Sequence, residues 1–280
     1  MLGAINGAFY AMMSLGLALI FGVLNIINFM HGAQYMMGAF IAWLLLQYAG
    51  IDYWTALIAA PALVGVMSAV FERLLLRHLY HLDHLYGFLL TFGVALLFEG
   101  FFRHNYGVSG QPYQIPEALL GAYDLGFMFL PRYRAWVVFA SLAVCLGTWW
   151  IVERTRLGAY LRAATENATL VRAFGVNVPR MITLTYVFGA MLAAFAGVLA
   201  APIYQVSSIM GSSIIPVIFA VVVIGGLGSI MGSIVTGFIV GLVEGIAKVF
   251  YPEAASTVVF IIMVVVLLLR PQGLFGKRNY

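Results

Sequence analysis

The sequence predicts an all-α, polytopic integral membrane bundle of about eight membrane helices plus a broken or re-entrant helix pair. Three observations lead there. Apolar and aromatic residues make up 64% of the 280 and charged residues only 9%, where a soluble domain carries roughly 45–50% and about 25%. The apolar runs are long and continuous, without the alternating segments of about ten residues that mark a membrane barrel. At roughly 20 residues per span, 280 residues hold roughly seven to ten helices and leave no length for a separate soluble domain, so residues 1–280 form one transmembrane domain.

The elements follow in order. A first span covers residues 5–29 and a second 34–49, joined across the polar and small stretch Asn28-Phe29-Met30-His31-Gly32. No Lys, Arg, Asp or Glu precedes Asp52. The first apolar stretch therefore lacks the basic start of a cleaved signal peptide and is expected to remain as a span. Residues 54–71 and 85–102 make the third and fourth spans, separated by the polar segment 72–84. A long loop, 103–134, leads to a fifth span at 135–152, which contains the only cysteine, Cys145. One thiol excludes an internal disulfide and a CxxC metal or redox site. A hydrophilic segment, 153–180, precedes a sixth span at 181–201. Residues 214–250 are then apolar but interrupted at Gly225-Gly226-Leu227-Gly228-Ser229, and 258–269 is the last span before the basic tail.

Orientation follows from the basic residues. Segments 72–84, 153–180 and 270–280 hold two, five and three Arg or Lys, ten of the fourteen in the chain, and are assigned to the cytoplasm. Segments 103–134 and 202–213 are then external, as is the N-terminus. The 13 residues 214–226 are short for a crossing of about 20, so 214–250 enters the membrane and returns as the broken or re-entrant pair. In lipid no hydrophobic force draws helices together, and close packing depends on small residues four apart. Ser233, Gly237, Gly241 and Gly245 form one such ridge; Gly189, Ala193, Gly197 and Ala201 a second; Gly3, Gly7 and Ala11 a third.

Three constellations carry functional expectations. Asn25, Asn28, Gly32 and Tyr35 share one face at helical spacing, with His31 beside them. An amide facing lipid loses hydrogen bonds, so this face points inward, either as polar glue between helices, as a helix break, or as the lining of a pathway. Gly225, Gly226 and Gly228 mark unwound backbone, tolerated at membrane depth only where it is packed in protein or borders a wet cavity, and they are expected at the centre of the assembly. In 153–180, Leu157, Tyr160, Leu161, Ala164, Ala168, Val171 and Phe174 recur at steps of three and four. That is one amphipathic helix, lying on the membrane surface or offered to a cytoplasmic partner. Glu244 and Lys248, like Glu99 and Arg103, are four apart in the favourable order for a structural ion pair.

Several functions are excluded or weakened. No HExxH, GxSxG or GxxxxGK[ST] pattern occurs, so no catalytic residue, metal site or cofactor is expected and ATP is not hydrolysed by this chain. The basic residues are scattered, which argues against nucleic acid. A proton-coupled secondary carrier or channel is the alternative reading, weakened by the shortage of ionisable groups at mid-span.

The chain resembles the membrane permeases of branched-chain amino acid ABC importers, specifically the LivH-type subunit. The likeness is carried by Asn6-Gly7 through Ser14 to Val23 and Ile27 to Gly32, by Thr155-Arg156-Leu157-Gly158 with Leu161-Arg162-Ala163, by Gly225-Gly226-Leu227-Gly228-Ser229, and by Arg270-Pro271-Gln272-Gly273-Leu274-Phe275-Gly276. It implies a bacterial inner-membrane subunit that pairs with a second, LivM-like permease, is driven by two cytoplasmic ATPases, and receives solute from a periplasmic binding protein. Arg156, Gly158, Arg162, Ala163, Glu166, Asn167, Ala168 and Gly175 would then couple to the ATPase. Asn25, Asn28, His31, Gly32, Tyr35, Gly225, Gly226 and Gly228 would line the pathway. The segment departs from the EAA-then-Gly loop of other ABC permeases. Branched-chain amino acids are the first expectation for the solute; amides, urea and aromatic acids are served by similar permeases.

Overall fold

The computed structural model describes residues 2–24, 26–124, 126 and 128–276. Within them the chain runs α1 (Leu2–Leu24), α2 (Met30–Ala49), α3 (Tyr53–Leu74), α4 (His84–Tyr106), a two-stranded hairpin of β1 (Ala122–Asp124) and β2 (Phe129–Pro131), α5 (Arg132–Arg154), α6 (Arg156–Glu166), α7 (Ala168–Ala173), α8 (Val178–Tyr204), α9 (Met210–Gly225), α10 (Ile230–Phe250) and α11 (Ala255–Leu269). Seven stretches are long and apolar enough to cross a membrane: α1, α3, α4, α5, α8, α10 and the segment Pro252–Leu269 that contains α11. Side chains set several starts. Asp52 accepts from the Trp54 N–H at 3.1 Å and Asp83 from that of Leu85 at 2.8 Å, which satisfies donors left open by the first helical turn. Together with the Thr55 hydroxyl, its strongest partner, the Trp54 N–H holds the exposed Asp52 carboxyl below its usual range.

The small-residue ridges place the inner helices. A Cβ on Gly3 would sit 2.8 Å from the Gly241 carbonyl, one on Gly241 would fall on the Gly7 backbone, and one on Gly237 on the Ala11 backbone. The first and third ridges thus face each other along α1 and α10, the most extensive helix pair in the molecule. Gly189 packs on the Gly16 carbonyl and Gly197 on the carbonyl of Tyr35, so the ridge of α8 serves both α1 and α2.

The two ends of the bundle differ in chemistry. At one end, here called the arginine end, Arg73, Arg77 and Arg180 line one recess and α6 and α7 project from α5. At the other, Tyr133 donates from its hydroxyl to the Leu199 carbonyl at 3.0 Å and Tyr204 donates to Asn6 at 2.7 Å. The loop 103–134 is tied there too: Gln111 and Val206 exchange two backbone bonds of 2.7 and 2.9 Å, and burial pushes the Tyr113 phenol up to about 12.

Three features differ from the sequence expectation. The first span ends at Leu24 and the second starts at Met30, because the chain turns back between them. Loop 103–134 contains the β1–β2 hairpin, whose residues carry little alternation. Residues 153–180 form two helices rather than one. Asn167 leaves the helical region at φ −151° and ψ 90° and accepts the Leu170 N–H at 2.9 Å, so one residue ends α6 and caps α7. The interrupted pair is present as α9 and α10, with Gly226 and Gly228 at φ 101° and 79° in the link. At 16 residues, α9 is about 24 Å long, short of a hydrocarbon core of about 30 Å.

Candidate functional site

The first constellation lies where α2 begins inside the bundle. His31 is fully buried, and its Nε2 is 2.9 Å from the Met13 carbonyl, at the midpoint of α1. A carbonyl only accepts, so Nε2 carries the proton and donates. Gln34 donates from its amide to Ser68 at 3.1 Å and to Tyr186 at 3.3 Å, which joins α2 to α3 and α8. Asn28 is 1% exposed, and among the described residues neither of its side-chain polar atoms has a hydrogen-bond partner, nor do Nδ1 of His31 and Oε1 of Gln34. Tyr35 is 3% exposed. Gly32 is where α2 meets α9: a Cβ there would lie 2.6 Å from the Gly211 carbonyl. Asn25 lies outside the described residues. The predicted residues Asn28, His31, Gly32 and Tyr35 are therefore buried in the turn before α2 and its first turns, facing different neighbours, and Gln34 beside them meets Ser68 and Tyr186; the sequence reading missed these last three. Ser68 and Tyr186 lie 34 and 152 positions from Gln34, so no local pattern announces the contact.

Gly225, Gly226 and Gly228 are brought together elsewhere. Expected at the centre of the assembly, they lie at the arginine end. Gly228 packs against Gly22 at the end of α1, and a Cβ on Gly226 would meet Gly276 at 2.6 Å. The reason is the tail: Leu274 and Phe275 donate backbone N–H bonds of 2.8 and 3.1 Å to the carbonyls of Ile224 and Gly225. The unwound link is thus packed in protein, and its glycines admit the tail's backbone.

The coupling candidates form an elbow. Gly158 is buried so closely on the Val152 carbonyl that no side chain fits. Arg162 donates to the same carbonyl at 2.8 Å and reaches Glu153 at 3.4 Å, which fixes α6 against the end of α5. Arg156 opens α6, Ala163 and Glu166 lie along its second half, and Ala168 opens α7. Gly175, at φ 83°, ends α7 by donating to the Arg172 carbonyl at 2.9 Å, as the C-terminal glycine stop requires. Leu157, Tyr160, Leu170 and Phe174 are 61%, 43%, 56% and 80% exposed. At the same end of the bundle Glu72, 1% exposed, accepts hydroxyl protons from Tyr80 at 2.7 Å and Thr183 at 2.8 Å.

At the opposite end, Glu244 is more than a partner for Lys248. Lys248 lies 2.6 Å from one carboxylate oxygen; the other accepts from Tyr10 at 2.5 Å and from Asn6 at 3.3 Å. The network borders a recess of about 350 Å³ between α1, α8, α9 and α10. The sequence reading found the ion pair but not Asn6, Tyr10 or Tyr204, which lie some 200 residues or more away in sequence from the helices they bridge to.

The chain is similar to known proteins over nearly its full length. The family described as branched-chain amino acid transport system / permease component matches residues 2–268. The high-affinity branched-chain amino acid transport system permease protein LivH of Escherichia coli strain K12 is 27% identical over 98% of this chain and 94% of its own length. The BraD permease protein of Pseudomonas aeruginosa is 29% identical, over the same shares of the two chains. LivM of Escherichia coli strain K12 is 27% identical over 95% of this chain and 67% of its own. No solved structure matches. With the family model matched over residues 2–268 and a helical membrane fold, this chain belongs to the branched-chain amino acid transport permease component family.

Proposed function

We propose that this chain forms half of the translocation pathway of an ATP-binding cassette importer for branched-chain or related amino acids in a bacterial inner membrane. A LivM-like permease supplies the other half, as the relatives of both types support. Two cytoplasmic ATPases supply the energy and a periplasmic binding protein delivers the solute. The observation that carries this reading is the elbow of α6 and α7. It projects from the end that the positive-inside rule assigns to the cytoplasm, offers four exposed apolar side chains, and is held rigidly to α5 by Gly158 and Arg162.

In this mechanism ATPase closure pushes on the elbow and α5 passes the displacement to α1 through the Ser141 hydroxyl, which donates to the Ala8 carbonyl at 2.6 Å. Alternating access needs two packings of rigid elements. The interrupted joint at Asn28, His31 and Gly32 is the place for them, because buried polar groups without protein partners are stable only when water or a polar solute reaches them in one state. The glycines of the α9–α10 link act as the packed pivot of the returning pair.

Affinity purification of the tagged chain from its native membranes tests the assembly: an ATPase pair and a second permease are expected with it, and recovery of the chain alone, with uptake intact, overturns the reading. Within the assembled transporter, Asn28→Leu is expected to lower uptake while the ATPases remain bound; wild-type uptake removes Asn28 from the pathway.

A further inference from the structure

The recess at the end opposite α6 and α7 has a polarity that packing alone does not require. Among the described residues its only lining charge is Lys248. The lysine side chain is 41% exposed, whereas its counter-charge Glu244 is 7% exposed and sits behind it. An ammonium has three N–H donors, and Glu244 takes one, so two remain for a ligand. Glu244 is itself occupied by Lys248, Tyr10 and Asn6 and serves to aim the cation rather than to receive a second one. Opposite the lysine, Ile209, Met210, Ile214 and Val217 provide an aliphatic wall. Ser213 already donates to the Met210 carbonyl at 3.0 Å, which leaves its oxygen lone pairs free to accept. The volume of about 350 Å³ is at the small end of ligand pockets, which span roughly 300–1,000 Å³.

We propose that this recess binds a free aliphatic α-amino acid, with the carboxylate on Lys248, the ammonium on Ser213 and the side chain on the wall formed by α9. The inference rests on the transport reading above and deepens it. Lys248 is two residues, about 3 Å, from the end of α10, on the side from which solute arrives in that reading. A second carboxylate on the ligand would be pressed onto the aliphatic wall without a cation, so acidic amino acids are rejected by desolvation.

The test uses the complete transporter without its binding protein, carrying Ser207→Cys as a reporter on the recess rim. The chain's own Cys145 is buried, and the parent complex gives the labelling background of all other thiols. With a charged methanethiosulfonate reagent, L-leucine at ten times its half-protecting concentration is expected to slow labelling of the reporter about tenfold. L-glutamate and leucinol, which lacks the carboxylate, are expected to leave the rate unchanged. Adding Lys248→Gln is expected to raise the half-protecting leucine concentration about tenfold, the loss of one charge-assisted hydrogen bond. The leucine and leucinol pair requires no change at Lys248 and stands even if that variant folds poorly. A labelling rate indifferent to leucine, equal protection by leucinol, or unaltered protection in a folded Lys248→Gln complex overturns the proposal. Uptake by the parent complex with binding protein and ATP is measured beside it. Leucine import without protection removes the recess and leaves the transport reading intact; protection without import of any aliphatic amino acid supports the recess and removes the transport reading.

Discussion

Helices α1 and α4 each have 23 residues, both are apolar, and the molecule uses them in opposite ways. In the most apolar stretch of α1, 78% of residues are buried, against 17% in α4. Both contain glycines. Those of α1 meet backbone: Gly3 and Gly7 face α10, and Gly16 faces α8. A Cβ added at Gly93 or Gly100 of α4 would find nothing within 4 Å. Hydrophobicity takes both helices into the membrane, but only small residues matched by a partner's small residues make a fixed contact. The exposed Leu97 and Phe101 of α4, 72% and 60% accessible, face lipid or another subunit.

The largest effect that would break this comparison is expected at Gly241. Gly241→Leu puts a side chain into the Gly7 backbone, with an expected loss of about 3 kcal/mol or more, since overpacking forces backbone shifts; thermal unfolding of the detergent-solubilised chain measures it, and an unchanged midpoint would remove the seam as the fold's anchor. Next comes Glu244→Gln, which keeps the shape of the network but leaves Lys248 without its counter-charge. A loss of about 1 kcal/mol is expected in the same assay, discounted because the lysine is part exposed. Gly93→Ala should act the other way, raising stability by about 0.4–1 kcal/mol through the unfolded chain; a loss would mean that α4 packs closely against a neighbour through Gly93. The smallest change is Leu97→Ala, expected within about 0.5 kcal/mol for the isolated chain. A much larger loss for the assembled transporter would identify this face of α4 as a subunit interface.

The same contrast separates what was readable in the sequence from what was not. Glycines and alanines four apart in α1, α8 and α10 announced their seams, because helical periodicity alone puts them on one stripe. The polar interruption at Asn28 to Gly32 and the glycine link at 225–228 were also legible as breaks. Their depth was not, since nothing local tells that Leu274 and Phe275 return to close α9. The Asn167 break between α6 and α7 was hidden by an apolar stripe that continues across it, although an asparagine three residues before Leu170 is a capping signal. Asn6, Tyr10 and Tyr204 were illegible for a different reason: each is a polar group on a predominantly apolar helix, and its meaning arises only when Glu244 is brought alongside.

The pairing of α1 with α10 also has a consequence for biogenesis. Tyr10 and Glu244 are separated by 234 positions, so during synthesis at about 5–20 residues per second α1 waits roughly ten to fifty seconds before its partner emerges from the ribosome. Throughout that interval the face of α1 that carries Gly3 and Gly7 is without the helix that covers it in the finished bundle.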